Sequence, residues 1–176
     1  MPNSSAPKRP RFFDSKLLTV SDLELEQNYF REKHKLHNRS LHGFGVVSGL
    51  AVTAGSGKVV VQPGLALDCE GNEILIESTQ SVNFTGLVSE RVAYLALRYV
   101  EQFVDPVPVA TGGEENSSVV ESFELAIAQE NCNRGHRRLR GRWLPCGTAH
   151  ALTIAKLRAT SQGWRVDRRY RPPMVK

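Results

Sequence analysis

Four residues invite a chemical reading first. Cys132, His136, Cys146 and His150 follow one another as C-x3-H-x9-C-x3-H. Two thiolates and two imidazoles can close a tetrahedral zinc site. Such a structural zinc would staple a segment, Asn131–Pro145, that has little apolar content of its own. The spacing differs from that of common zinc fingers, and the plainer reading is two free thiols and two solvated histidines in a loop. His34, His37 and His42 form a second group, with His34 and His37 on one helix face beside Phe30. No third ligand type lies near them, so helix-face histidines bonding the Gly43–Gly45 backbone are the simpler account. Asp68, Glu70 and Glu73 gather around a turn and could form a carboxylate pair or a calcium-like site; acidic turns commonly serve solubility instead. His136–Trp143 (HRRLRGRW), with Arg165, Arg168, Arg169 and Arg171, makes a basic surface with an aromatic. No nucleic-acid-binding fold accompanies that charge, so an electrostatic protein interface is preferred to nucleic acid.

Signatures of catalysis are missing. The chain has no GxSxG, P-loop, HExxH or Rossmann GxGxxG. A non-enzymatic protein is expected, without a cofactor beyond the candidate zinc.

The elements that must carry these residues can be read from pattern. The 176 residues suit one domain, or one domain with an arm, and can bury a core without staples. An apolar fraction of 40% and a charged fraction of 23% are ordinary for a globular protein. No run approaches the roughly 18 apolar residues of a membrane span. MPNSSAPKRPR lacks the apolar stretch of a secretory signal, which favours assembly in the cytoplasm. Three cysteines, an odd number with no CxxC, argue against a disulfide framework. The net charge of +5 permits an anionic partner without requiring one.

Residues 1–16 read as an extended arm and 17–42 as a docking helix. Ser21 and Glu24 form a capping box, Val20 and Leu25 a hydrophobic staple, and Gly43 the helix stop. Leu25, Tyr29 and Leu36 make one apolar stripe; Leu23, Phe30 and Leu41 make its neighbour. That wide arc predicts packing against more than one partner, some of it in another subunit. From residue 43 to 176 the period becomes that of strands. A strand over Val46–Val52 turns at Gly55-Ser56-Gly57 into Lys58–Val61. Pro63-Gly64 leads to Leu65–Asp68, and Glu70-Gly71-Asn72 to Glu73–Ile76. Val82–Phe84, Arg91–Val100, Ser122–Ala128 and a closing hairpin, Leu152–Arg158 with Trp164–Asp167, complete the set. Residues 105–120 and 131–150 are expected to be mobile loops. The expected fold is α+β, mainly β: an arm and one long helix, then an antiparallel β-sandwich or barrel-like module.

These pieces together have a resemblance. Arg11-Phe12-Phe13-Asp14, Leu18-Thr19, Tyr29-Phe30, His37-Asn38-Arg39, His42-Gly43 and Gly45-Val46-Val47-Ser48-Gly49-Leu50 look like the opening of phage-tail-like proteins of contractile injection systems and myophage tails. In those systems such proteins are baseplate or tail-fibre-attachment components. VVVQPGLALDCEGNEI is similar to their V-x-PG-x-A-x-D-x-x-G-x-x-I hairpin, and LTIAKLRATSQGWRVDRRYRP to the ending of tail-fibre collar modules. The likeness runs from Arg11 to Pro172 and departs from the pattern at Asn131–His150.

The resemblance implies a structural role that links baseplate to fibre or to neighbouring subunits, in a virion tail or injection particle. Other tail or baseplate proteins, a fibre protein and a homotrimer are the implied partners. Phe12, Phe13, Leu17, Leu23, Tyr29, Phe30 and Arg39 would carry docking, and Gly43, Gly45, Gly49, Pro63 and Gly64 would shape the helix-to-sheet junction. Two other readings stay open. One is a stand-alone domain recognising a carbohydrate or surface through Asp105–Ser118 and Asn131–Cys146. The other is a zinc-stapled basic nucleic-acid binder.

Overall fold

A computed structural model describes residues 7–55, 57–84, 91–135, 138–139, 142–143 and 150–175. Helix α1 spans Val20–His37 and continues into a π-helical turn, Asn38–His42. Gly43, at φ 80°, ends it, and its N–H closes on Asn38 O at 3.0 Å. A residue with a Cβ is disfavoured at that φ, so the expected glycine stop holds. The start of the helix differs from expectation. Thr19 is the N-cap: its Oγ1 accepts from Asp22 N at 3.2 Å, and its own N–H donates to Asp22 Oδ2 at 3.2 Å. Lys16 Nζ also bonds Asp22 Oδ1, at 2.6 Å. Both Thr19–Asp22 and Ser21–Glu24 satisfy the capping-box pattern. In the earlier one Lys16 also holds the box's acidic residue.

Among the described residues, twelve strands follow: β1 Gly45–Gly49, β2 Val52–Gly55, β3 Lys58–Val61, β4 Gly64–Leu67, β5 Glu73–Ile76, β6 Gln80–Asn83, β7 Val92–Pro108, β8 Glu114–Ala128, β9 Arg138–Leu139, β10 Arg142–Trp143, β11 Leu152–Thr160 and β12 Gly163–Val166. They form sheets in the orders β1-β4-β5, β2-β3-β6, β12-β11-β7-β8 and β10-β9, and every strand pairing is antiparallel. The chain is therefore α+β and mainly β, as its pattern predicts.

Two strand boundaries correct the sequence reading. The strand expected over Val46–Val52 is broken, because Gly49 (φ 65°) and Leu50 (φ 56°) turn the chain from one sheet into another. The polar loop expected around 105–118 is instead a hairpin arm: β7 and β8 stay paired out to Pro108 and Glu114. Only residues 109–113 connect them.

One core serves the three larger sheets. Val59 and Val61 of β3, Ile74 and Ile76 of β5, Leu95 and Leu97 of β7, and Leu152 and Leu157 of β11 are almost fully enclosed. Each contributes about 1.5–3 kcal/mol of transfer free energy. Alternation, shifted in β11 by an irregularity between Thr153 and Ala155, places them inward while Lys58, Glu73, Leu75 and Arg158 face outward.

Backbone contacts without side-chain clearance fix how the sheets meet. A Cβ on Gly49 would lie 2.2 Å from Pro63 O, and one on Gly64 2.4 Å from Ser48 O. The predicted junction residues Gly49, Pro63 and Gly64 thus form a single crossing. Gly45 lies against Pro173 O, where the C-terminal segment adds to β1 through Val46 N–H to Pro173 O at 2.8 Å.

The joint to the helix is as tight. Gly71, at φ +93°, would place a Cβ 2.2 Å from Lys35 O. Gly71→Ala should lower stability by about 2–4 kcal/mol, since strain and backbone overlap add. Urea unfolding measures this, and a midpoint equal to that of the parent would show the joint to be loose.

Candidate docking surface

The helix leaves the β-module from a small root. Asn38 is buried and its Nδ2 donates to Gly71 O at 3.0 Å and to Glu73 Oε1 at 3.3 Å. His34 Nε2 lies 3.4 Å from the same carboxylate. Arg39 Nη1 donates to Glu70 O at 3.4 Å, so this predicted interface residue serves the joint within the chain. Further along, Arg31 Nη2 reaches Glu101 Oε1 on β7 at 2.5 Å, and Tyr99 OH donates to the same oxygen at 3.0 Å. Burial, then the Glu101 bond, push the Tyr99 phenol above its usual range.

Beyond these clasps the helix is bare: none of its residues is buried. Leu23 and Phe30 are exposed, Phe30 at 60%, with Val20 and Leu41 beside them. Tyr29 is half-buried and meets the Phe30 ring edge-on at 5.4 Å. In the arm Phe12, Phe13 and Leu17 are exposed, Phe13 at 63% and Leu17 at 82%. Lys16 holds this arm to the helix by its bond to Asp22 and its position 5.3 Å from the Phe12 ring. Side chains of this size, gathered on one helix and its leading arm, form an exposed apolar surface, the kind that marks an interaction site in a folded protein.

The hairpin arm adds residues that sequence reading missed. Phe103 and Val119 pair directly across β7 and β8, in the same alternation as the core pairs Leu95–Ile127 and Leu97–Leu125. The core-facing side of the hairpin therefore continues outward past the core, where Phe103 is 67% exposed. Val107 and Val120 are exposed too. The arm is acidic: no lysine or arginine occurs between Tyr99 and Glu130, while Glu101, Asp105, Glu114, Glu115, Glu121, Glu124 and Glu130 do. The adjacent apolar, β-prone pairs Phe103-Val104 and Val119-Val120 were a usable strand signal, masked by the prolines and glycines between them.

The metal-ligand candidates are not assembled among the described residues. His136 and Cys146 lie outside them. Cys132 N–H donates to Thr153 Oγ1 at 2.9 Å, whereas His150 turns to Cys69 and Glu70. Among the described residues no group of three His, Cys, Asp or Glu side chains is placed to hold a metal ion. No described helix is long and apolar enough to cross a membrane.

No protein-family model matches the chain, and no curated protein does. Solved structures do. Over 96% of its length the chain is similar to a chain of the type VI secretion system TssK-TssF-TssG baseplate subcomplex, with a TM-score of 0.57 and 16% identity. It is similar over the same share to a chain of the baseplate complex from the type VI secretion system (TM-score 0.55, 16% identity) and to the crystal structure of TssK (TM-score 0.54, 12% identity). It spans 62%, 60% and 42% of those chains. At such identities the likeness is one of fold.

The helix cap has a pH dependence with a definite sign. Hydrogen bonds from Lys16 and then Thr19 hold the Asp22 carboxyl below its ordinary 3.8. A depressed folded-state value stabilises the capped form above the ordinary value and is lost as pH falls through the folded one. Protection factors of the first-turn amides, which divide out the intrinsic pH dependence of exchange, should therefore stay high at pH 5 and above (about one unit over the ordinary carboxylate range) and fall in stronger acid. Asp22→Asn should show low protection factors throughout.

Proposed function

We propose that this protein is a structural, non-enzymatic component of the baseplate of a phage-tail-like contractile injection particle. Its β-module is the rigid body; its arm and helix dock on neighbouring tail or baseplate proteins. The observation that carries this reading is the fold likeness over 96% of the chain to type VI secretion baseplate chains. The exposed apolar arm and helix support it independently, because a helix without a buried residue has little reason to persist alone. In this reading the outer end of the module meets a fibre or an adjacent wedge, and the chain works within a tail or injection particle as an oligomer, a homotrimer being the simplest. The carbohydrate-recognition reading loses one of its two loops, since 105–108 and 114–118 belong to the hairpin arm.

The test is sedimentation of an epitope-tagged copy from native lysate, followed by mass spectrometry of the fractions. The protein should travel with sheath and tube proteins; a slow peak free of tail proteins would overturn the assignment. Phe12→Ala/Phe13→Ala and Phe30→Asp should each weaken incorporation by about 30-fold or more, the effect of losing an interface anchor worth ~2 kcal/mol. Both should leave circular dichroism and the melting midpoint of the isolated protein unchanged. Phe103→Asp addresses the hairpin arm separately. If it reduces incorporation as strongly, the arm belongs to the same contact; if incorporation is intact, docking is confined to the helix.

A further inference from the structure

A groove of about 590 Å³ lies between β5 and β8, where the hairpin arm leaves the core. Its apolar lining is Leu65 and Leu75, paired across β4 and β5, with Phe123 of β8. Its charged lining is Glu73, Glu77 and Glu121, and among the described residues no lysine or arginine lines it. Leu75 is exposed, an aliphatic side chain with nothing over it. Glu121 stands directly opposite Glu101 in the β7–β8 ladder. Like charges so placed repel, and Arg31 supplies one cation for the two. Glu77 and Glu121 form no ion pair among the described residues. Apolar surface edged by uncompensated carboxylates fits a segment that is both basic and apolar.

The chain carries such a segment. Arg11-Phe12-Phe13, preceded by Lys8 and Arg9, is exposed, and none of these three cations has an ion pair among the described residues. The groove of the same chain is out of its reach. Lys16 ties the arm to Asp22 at 2.6 Å, with the Phe12 ring 5.3 Å from Lys16 Nζ. His34 is the helix residue that approaches Glu73 of the groove, at 3.4 Å. Asp22 precedes His34 by about 18 Å along the axis, at 1.5 Å per residue. The helix therefore holds each arm away from its own groove while the groove lies open to another molecule.

We propose that the groove receives Arg11-Phe12-Phe13 of a second copy of this chain, the rings against Leu65, Leu75 and Phe123 and the guanidinium against Glu77 and Glu121. The giving and receiving surfaces differ, so the contact is heterologous and runs head to tail: each copy lends an arm and accepts one. The inference rests on the docking role proposed above for the arm and names its partner.

The experiment is sedimentation velocity of the purified full chain over a range of concentrations, at low salt and at about 1 M, where screening acts within ~3 Å. The parent should self-associate, and less so at high salt. Arg11→Glu should weaken association about tenfold or more, as should Glu77→Lys/Glu121→Lys. A chain carrying all three reversals should associate again. A parent that stays monomeric, an association indifferent to both sets of reversals, or no recovery in the combined variant would each overturn the proposal. Arg11→Lys gives a second measurement that keeps the charge. Its amine should couple to Glu77 or Glu121 with a zero-length carbodiimide. In an equal mixture of ordinary and ¹⁵N-labelled protein the linked peptides should include pairs of mixed isotope. Links within single-isotope pairs alone would show each arm on its own chain and overturn the proposal, as would no link. The purified chain is used, so failure here leaves co-sedimentation with sheath and tube proteins intact. Failure of the baseplate reading would in turn leave the self-association standing.

Discussion

The structure depends on one buried carboxylate. Asp68 is 2% exposed, and a buried charge is costly unless its lone pairs are satisfied. Its Oδ1 accepts from Glu70 N and Asn72 N, each at 2.9 Å, and its Oδ2 from Asn72 Nδ2 at 2.7 Å. These bonds bend residues 68–72 into a turn of fixed shape between β4 and β5. The contacts at the root of α1 then attach to that turn or to the strand after it. Gly71 lies against the Lys35 carbonyl, Asn38 bonds Gly71 O, Arg39 bonds Glu70 O, and His34 approaches Glu73. The helix direction is thus set by backbone shape at its last turns, and the Arg31–Glu101 clasp supports it farther out.

That economy has a physical consequence. A helix of 18 residues has marginal stability in water, and most helices gain theirs by burying an apolar stripe. Here the stripe of Leu23, Phe30 and Leu41 is left open, together with Phe12, Phe13 and Leu17. The capping box, the Lys16–Asp22 pair and the root contacts keep the helix formed while its apolar side stays exposed. The hairpin arm repeats the design in β-structure. Its inner face is a continuation of the core, but past Glu101 and Glu121 nothing among the described residues buries it.

The sequence displayed the parts of the fold that come from period and punctuation. The helix, its stop at Gly43, the hairpins at Gly55–Gly57 and Glu70–Asn72, and the closing hairpin all follow local rules. The errors arose where two local rules competed. Two capping boxes overlap near Thr19 and Ser21, and the contact from Lys16, visible only in space, favours the earlier. Leu50 continues an apolar strand pattern, yet its left-handed backbone breaks the strand, because the crossing at Pro63 and Gly64 demands the turn. Pro106 and Pro108 argued for a loop. They are two apart, so their nitrogens point to the same side, and beyond Leu97 the outer edge of β7 has no strand partner. A proline there costs no ladder bond. Among the exposed apolar side chains, Phe12, Phe13, Leu17, Leu23 and Phe30 were legible as large apolar groups outside the core pattern; Phe103 was hidden by the same prolines.

The same reasoning accounts for a fold likeness with so little sequence likeness. Backbone shape imposes the identity of a few described positions, among them Gly43 at the helix end, Gly45 against the C-terminal segment, Gly49 and Gly64 where two strands cross, Gly71 against the helix, and Asp68 beneath its turn. The core positions need only apolar side chains of fitting volume in a period of two. A chain can satisfy both demands while sharing 12–16% of its residues with another. The surfaces of α1 and of the hairpin arm answer to neither demand, since no core packs against them. Their apolar and acidic pattern can therefore change at little cost to the β-module.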